Sequence, residues 1–324
     1  MKRMSKKFLA ACAGLVGLLG SGKSFAMDSC TCVKNLKILY DRNTPEELEL
    51  KNKYESRCKL IKESYESETG NKCDKILGWG LGGVVYTIKN QPNRLVKFAY
   101  AEGGQAGHLD SWAYDGYGYY KSSEYRFCST GETKKDFGKH VCKVYAYGCN
   151  TSTENHGFTL WYEMENIKGE DLNEYVAKHR CSCQQVIDWS LQILDGLQNL
   201  YNDGWLHNDV KLDNIRIREK SGEAVLVDFG KLVDIQSHKA NWDTEWWKQL
   251  YGGVFGSGAD VYKKADHDNA HNTPTVISQL CDYVPEREKI KYNSIYNELA
   301  AAGGTWSNNI DDMKKKLTDL KNKL

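Results

Sequence analysis

The sequence has no run of twenty apolar residues, so no permanent membrane span is expected. It has almost no charge excess either, with 44 basic against 43 acidic residues and a net +1. A general electrostatic attraction to nucleic acid or anionic lipid is therefore not expected, and any phosphate-binding groups must be local. C-x-x-C spacing is missing as well. Cys30/Cys32 and Cys181/Cys183 are spaced C-x-C, which speaks against a zinc knuckle. Internal repeats and low-complexity tracts are also absent. What remains, at 40% hydrophobic and 27% charged over 324 residues, is the composition of a globular protein with room for one large domain or two smaller ones.

Acidic residues are missing from the first 26 positions. There Lys2, Arg3, Lys6 and Lys7 precede an apolar run from Phe8 to Leu19, and small residues lead to Ser24-Phe25-Ala26. This is the layout of a secretory signal peptide cleaved after Ala26, so the expectation is a secreted chain beginning at Met27. A membrane anchor or a disordered leader is the alternative. Leu9-Ala10-Ala11-Cys12 resembles a lipoprotein box, although almost no apolar run precedes it. Loss of the leader would take five basic residues and change the net charge to −4. Ten of the eleven cysteines would remain, an even number that permits disulfides, with the pairing unreadable.

Residues 27–72 read as an N-terminal helical extension. Thr44-Pro45-Glu46-Glu47 announces a helix, with Thr44 as N-cap, Pro45 in the first turn and Glu47 closing a capping box. Leu50, Tyr54, Cys58, Ile61 and Tyr65 form a stripe expected to pack on the main domain. That domain is expected over 73–290, in two parts, 73–168 and 169–290, with a helical tail over 291–324. Strands are expected at Lys75–Trp79, Val84–Lys89 and Leu95–Tyr100, the last two joined by the turn Asn90-Gln91-Pro92-Asn93. A helix near Tyr119–Cys128 and strands near Val141–Gly148 and Phe158–Glu163 complete a β-rich part. Val186, Trp189, Ile193, Leu197 and Leu200 mark a buried helix, and Ile215–Arg218 and Ala224–Asp228 read as two strands. The fold class is α+β, bilobal.

Gly78-Trp79-Gly80-Leu81-Gly82-Gly83-Val84-Val85 matches G-x-G-x-x-G-x-V, a loop whose backbone amides can approach phosphates. It lies between two strands, which argues against a dinucleotide fold. Lys97 sits on a strand among apolar residues, where an ammonium group needs an anion or a route to water. Gly204-Trp205-Leu206-His207-Asn208-Asp209-Val210-Lys211-Leu212-Asp213-Asn214-Ile215 and Val225-Leu226-Val227-Asp228-Phe229-Gly230 place acidic residues and an asparagine at loop–strand junctions. Asn214 and Asp228 can supply the oxygen ligands a hard cation requires. Asp209 is then free to orient a hydroxyl, and Lys211 to neutralise a transferring phosphoryl group.

In this order, over about residues 75–255, these motifs resemble those of the eukaryotic-type protein kinase family. The resemblance implies ATP with Mg²⁺ or Mn²⁺ in a cleft between two lobes. Gly78, Gly80, Gly83 and Val85 would cover the nucleotide, and Lys97 would hold its α/β-phosphates, paired with Glu124 or, failing that, Glu132. Asp209 would be the catalytic base, Lys211 the γ-phosphate contact, and Asn214 and Asp228 the metal ligands. Backbone groups of Glu165 and Ile167 would read adenine. Lys211 at this spacing is similar to Ser/Thr kinases, and His207 fits a structural buried histidine.

The chain also departs from the family. Asn208 replaces the arginine before the catalytic aspartate, and only twelve residues separate Gly230 from Asp243, with no Ala-Pro-Glu after them. Leu95 stands for an alanine, and Arg216 for an apolar residue beneath adenine. The implied activity is phosphoryl transfer to protein Ser/Thr, in an exported chain resembling secreted bacterial effector kinases, with host proteins among the candidate substrates. A small-molecule kinase and a non-catalytic nucleotide-binding scaffold remain as alternatives.

Overall fold

The computed structural model describes residues 45–80, 83–101, 127–128, 136–152, 157–230, 232–235, 270 and 272–324. Residues 1–26, Thr44, Glu124, Glu132, Ser237 and Asp243 lie outside them, as do most of the helix expected near Tyr119–Cys128 and most of Lys231–Trp242. Residues from Lys53 to Leu324 form one compact unit, and the packing below is within it.

Helix α1, Pro45–Thr69, begins at the proline that the sequence places in its first turn. It ends before Gly70, whose φ of 72° is the left-handed conformation that closes helices. Cys58, Ile61 and Tyr65 of the expected stripe are buried against Val84, Tyr86, Ile88, Val96, Phe98 and Trp161.

Those partners lie on a five-stranded antiparallel sheet of order β1-β2-β3-β5-β4. Its strands are β1 Cys73–Gly80, β2 Gly83–Ile88, β3 Gln91–Ala101, β4 Val144–Ser152 and β5 Gly157–Glu165. Side chains alternate between faces. Val84, Tyr86, Val96 and Phe98 meet α1, which leaves Val85, Leu95 and Lys97 for the opposite face. Ile88 pairs with Gln91, so the β2–β3 turn is Lys89-Asn90, earlier than the turn expected through Pro92-Asn93. Asn90 has a φ of 63°, as a two-residue hairpin requires. Pro92 sits in an irregularity of the ladder, where its missing N–H costs no bond, and its carbonyl accepts Asn166 Nδ2.

After β5 come α2, Leu172–His179, and α3, Cys183–Asn202. Asp171 caps α2 by accepting from the Glu174 amide, and Ser182 with Gln185 forms a capping box on α3. The apolar face of α3 buries Val186, Ile187, Ile193, Leu194, Leu197 and Leu200. Short strands follow: β6 Trp205–Leu206, β7 Ile215–Ile217, β8 Ala224–Leu226 and β9 Val233–Asp234, paired β6–β9 and β7–β8. The β7 and β8 strands stop short of the expected ends because Arg218 opens a turn and Asp228 has a φ of 63°. The chain closes with α4 Thr273–Cys281, α5 Glu286–Lys291, α6 Asn293–Ala300, α7 Ala302–Thr305 and α8 Ile310–Lys321. Met313, Leu317 and Leu320 of α8 enter the same core as α3. The result is a small β lobe and a mainly helical lobe. Among the described residues, no helix is long and apolar enough to cross a membrane.

Candidate active site

Register builds the small-lobe side of the site. Lys97 pairs with Val85 on β2 and with Tyr162 on β5, so the three side chains share one face. The Lys97 ammonium is 5.7 Å from the centre of the Tyr162 ring. Gly78 pairs with Val85 and Gly80 with Gly83, so the glycine-rich segment joins β1 to β2 as an antiparallel hairpin beside Lys97's strand. At Gly83 a β-carbon would come within 2.0 Å of the Phe98 carbonyl oxygen, and its φ is 129°. Only glycine fits there.

Lys97 is 7% exposed, and its Nζ donates to Asp228 Oδ1 at 2.8 Å. The ammonium beside Asp228 holds that carboxyl well below the usual carboxylate range, helped by the Gly230 amide at 3.3 Å. The contact joins the two lobes. Glu124 and Glu132, the carboxylates expected for Lys97, lie outside the described residues, as do Leu81 and Gly82 of the glycine-rich segment.

The loop from β6 to β7 supplies the other half. Asn214, 5% exposed, donates through Nδ2 to both the carbonyl and Oδ2 of Asp209, each at 2.9 Å. Lys211 Nζ reaches the same Oδ2 at 2.9 Å. The Asp209 carboxylate is thus oriented by two side chains that follow it in sequence. Because the Asn214 amide nitrogen is committed to Asp209, its oxygen is left as the acceptor. The Val227 amide bonds the Asn214 carbonyl at 2.9 Å, so the segments bearing Asn214 and Asp228 are tied together. One amide oxygen and one carboxylate are hard donors. A small hard cation that keeps water and phosphate in its shell suits that donor set.

His207 is buried, with Nε2 3.1 Å from the Val227 carbonyl, in keeping with the structural role expected of it. Phe229 packs on Phe127 with ring centres 4.5 Å apart, and Phe127 also meets Trp205 at 5.5 Å. Sequence reasoning missed Phe127 and Tyr162. The alternation Leu160, Tyr162, Met164 along β5 carried a signal for Tyr162.

At the strand exit, the Glu165 amide donates to the Lys143 carbonyl at 2.8 Å, and the Glu165 carbonyl lies 3.7 Å from the Cys142 thiol. The Glu165 carboxylate is forked by Arg218. Ile167 is buried. Arg216, expected beneath the base, donates from Nε to the Ile167 carbonyl at 3.2 Å and from Nη2 to the Gly169 carbonyl. Leu95, the other departure, is buried opposite Met164.

Residues 139–250 match the family model of the protein kinase domain. The chain is 38% identical over 80 residues to the serine/threonine-protein kinase pakA of Talaromyces marneffei, covering 25% of this chain and 12% of that protein. It is 37% identical over 79 residues to the serine/threonine-protein kinase shk1/pak1 of Schizosaccharomyces pombe, covering 24% and 12%. With the nitrogen permease reactivator protein of Saccharomyces cerevisiae it shares 32% identity over 118 residues, covering 34% and 15%. The chain therefore spans only a small part of the length of these relatives. The family match starts at Lys139, so the glycine-rich segment and Lys97 rest on the geometry above. Fold, ordered motifs and matches make this chain similar to the eukaryotic-type protein kinases, with the protein kinase domain matched over residues 139–250.

Proposed function

We propose that the chain is an exported, ATP-dependent protein Ser/Thr kinase that acts as a secreted effector. The observation that carries the catalytic reading is the placement of Asp209 by Asn214 and Lys211, with the Lys97–Asp228 contact completing the cleft. In this reading the acceptor hydroxyl oxygen bonds the γ-phosphorus of ATP as the bond to the ADP oxygen breaks. The hydroxyl proton passes to the Asp209 carboxylate and then to water. Lys211 balances negative charge on the transferring phosphoryl group, and Lys97 holds the α/β-phosphates. Asn214 and Asp228 would hold Mg²⁺ or Mn²⁺, which supplies charge neutralisation at the phosphates when bound. The protein contributes positioning and fixed charge.

Transfer of radiolabelled phosphate from ATP to protein in a candidate host extract, with Asp209→Ala as control, tests this. Label appearing only in metabolites would replace the reading by a small-molecule kinase. The absence of any transfer, with ATP still bound, would leave a nucleotide-binding scaffold. Export rests on the leader, and intact mass after secretion from the native host is expected to show a chain beginning at Met27. Retention of Met1, or lipid at Cys12, would overturn that part.

A further inference from the structure

Between the lobes the chain runs through Glu165-Asn166-Ile167-Lys168-Gly169-Glu170, and residues 216–219 hold it with unusual completeness. Arg216 Nε donates to the Ile167 carbonyl at 3.2 Å, and its Nη2 donates to that of Gly169. The Glu219 amide donates to Lys168 O at 2.7 Å, and the Ile217 amide to Glu170 O at 2.9 Å. Four consecutive carbonyls are thus engaged from one side. Arg218 adds a fork onto the Glu165 carboxylate, with Nη2 3.1 Å from Oε2.

The amides of this stretch are used differently. Those of Glu165 and Asn166 donate to Lys143 O and Asn93 O, at 2.8 and 2.9 Å. The Ile167 amide meets no acceptor among the described residues. Ile167 is a buried residue, so an atom of a ligand that accepts from this unused donor is favoured. It lies between the Asn166 amide, held by Asn93, and the Ile167 carbonyl, which joins it through the Ile167 α-carbon and is gripped by the Arg216 side chain.

We propose that Arg216 is a positioning residue for nucleobase selection: by holding the Ile167 and Gly169 carbonyls it fixes the Ile167 N–H as a donor to adenine, one that guanine has no acceptor to meet. The inference rests on the reading of the cleft as a nucleotide site. Adenine offers an unprotonated ring nitrogen on its pairing edge. Guanine carries N–H at that place, which sets donor against donor. Leaving both donors unpaired disfavours guanine by about tenfold or more. A base can evade that penalty only if the segment shifts, and Arg216 prevents the shift.

The test is titration of the full-length protein with Mg²⁺-ATP and Mg²⁺-GTP, together with KM and kcat, for wild type, Arg216→Leu and Arg216→Lys. Wild type is expected to prefer ATP by about tenfold or more. Arg216→Leu is expected to cut that preference to about threefold or less, raising KM for ATP while kcat stays within about twofold. Arg216→Lys, with a point charge in place of a two-donor fork, should recover only part of the preference. Should Arg216→Leu fail to fold by thermal melt, Arg216→Gln is read the same way. A wild type that binds ATP and a leucine or glutamine variant with an unchanged ATP-to-GTP ratio would overturn the positioning role alone. A folded wild type that binds neither nucleotide would overturn the nucleotide-site reading and this inference with it.

Discussion

The Lys97 ammonium lies 2.8 Å from the Asp228 carboxylate, so a buried cation of the small-lobe sheet and the first residue of Asp228-Phe229-Gly230 share one ion pair across the cleft. Asp228 is also a candidate metal ligand, and its lowered carboxyl pKa keeps it ionised at neutral pH. Replacement of Asp228 by Ala is expected to lower kcat by about 100-fold or more, as is replacement of Asp209. The two should differ in binding: Asp209→Ala keeps most of its ATP affinity and Asp228→Ala does not. Phosphate transfer and nucleotide titration on the same preparations check this, and full activity in either variant would contradict the assignment.

Helix α1 is tied to the sheet by a buried carboxylate. Glu163, 2% exposed, accepts from Tyr65 Oη at 2.9 Å, Asn71 Nδ2 at 2.8 Å and Arg94 Nη1 at 2.9 Å. Tyr65 also packs edge-on against Phe98 and Trp161. Tyr65→Phe deletes one of three donors to a buried charge and is expected to cost about 1–3 kcal/mol in urea unfolding. Tyr65→Ala adds loss of the ring and should cost about 3–5 kcal/mol. Changes near zero in both would mean that α1 does not stabilise the lobe.

Burial pushes the thiols of Cys142, Cys181 and Cys281 up to about 12. In the unfolded chain they ionise near about 8.5. The folded state therefore binds these protons more tightly, so their contribution to stability is complete below pH ~8.5 and falls as pH rises towards 12. In reducing buffer, the urea midpoint is expected to drop between pH 7.5 and 10. The drop should shrink when the three cysteines are replaced together by alanine. An equal drop in that variant would assign the effect to other groups.

Asn208 has a φ of 56°, a conformation asparagine tolerates better than most residues, and its side chain carries no charge to receive a phosphate. Lys231–Trp242, the short segment after Gly230, offers Ser237 as its one hydroxyl. A short segment has few inactive conformations to leave, so little ordering entropy needs to be offset by phosphorylation. Phosphatase-treated protein and Ser237→Ala are therefore expected to keep near-full activity on a protein substrate. A large loss in either would identify a controlling phosphate.

What was legible in the sequence was local. Asp209, Lys211 and Asn214 fall within six residues of one loop, so their order in the chain reveals their meeting in space. Lys97 was legible because a lysine on an apolar strand needs an anion, and Asp228 because it follows a short buried strand. Arg216 to Ile167 and Tyr65 to Glu163 were not, since each joins elements distant in sequence and no periodicity relates them. The β2–β3 turn lies earlier than the sequence predicts, because Pro92 is a strong turn signal. An irregular ladder removed the penalty that would have kept it out of a strand. The stripe on α1 signals packing, but the charged anchor beneath it gives no sign, because Glu163 sits in β5 among residues that look equally suited to either face.

Gly169 has a φ of 134°, and a β-carbon there would lie 1.9 Å from the Ile217 carbonyl oxygen and 3.0 Å from the Glu219 nitrogen. The chain passes from one lobe to the other through a gap with room for a hydrogen atom and nothing larger. That fixes an exit direction for synthetic inhibitors of the nucleotide cleft. A substituent growing outward along the linker meets packed backbone beneath Gly169, whereas Lys168 is exposed. Chemical elaboration therefore belongs on the lysine side, where an acidic group would find an exposed cation and displace no main chain.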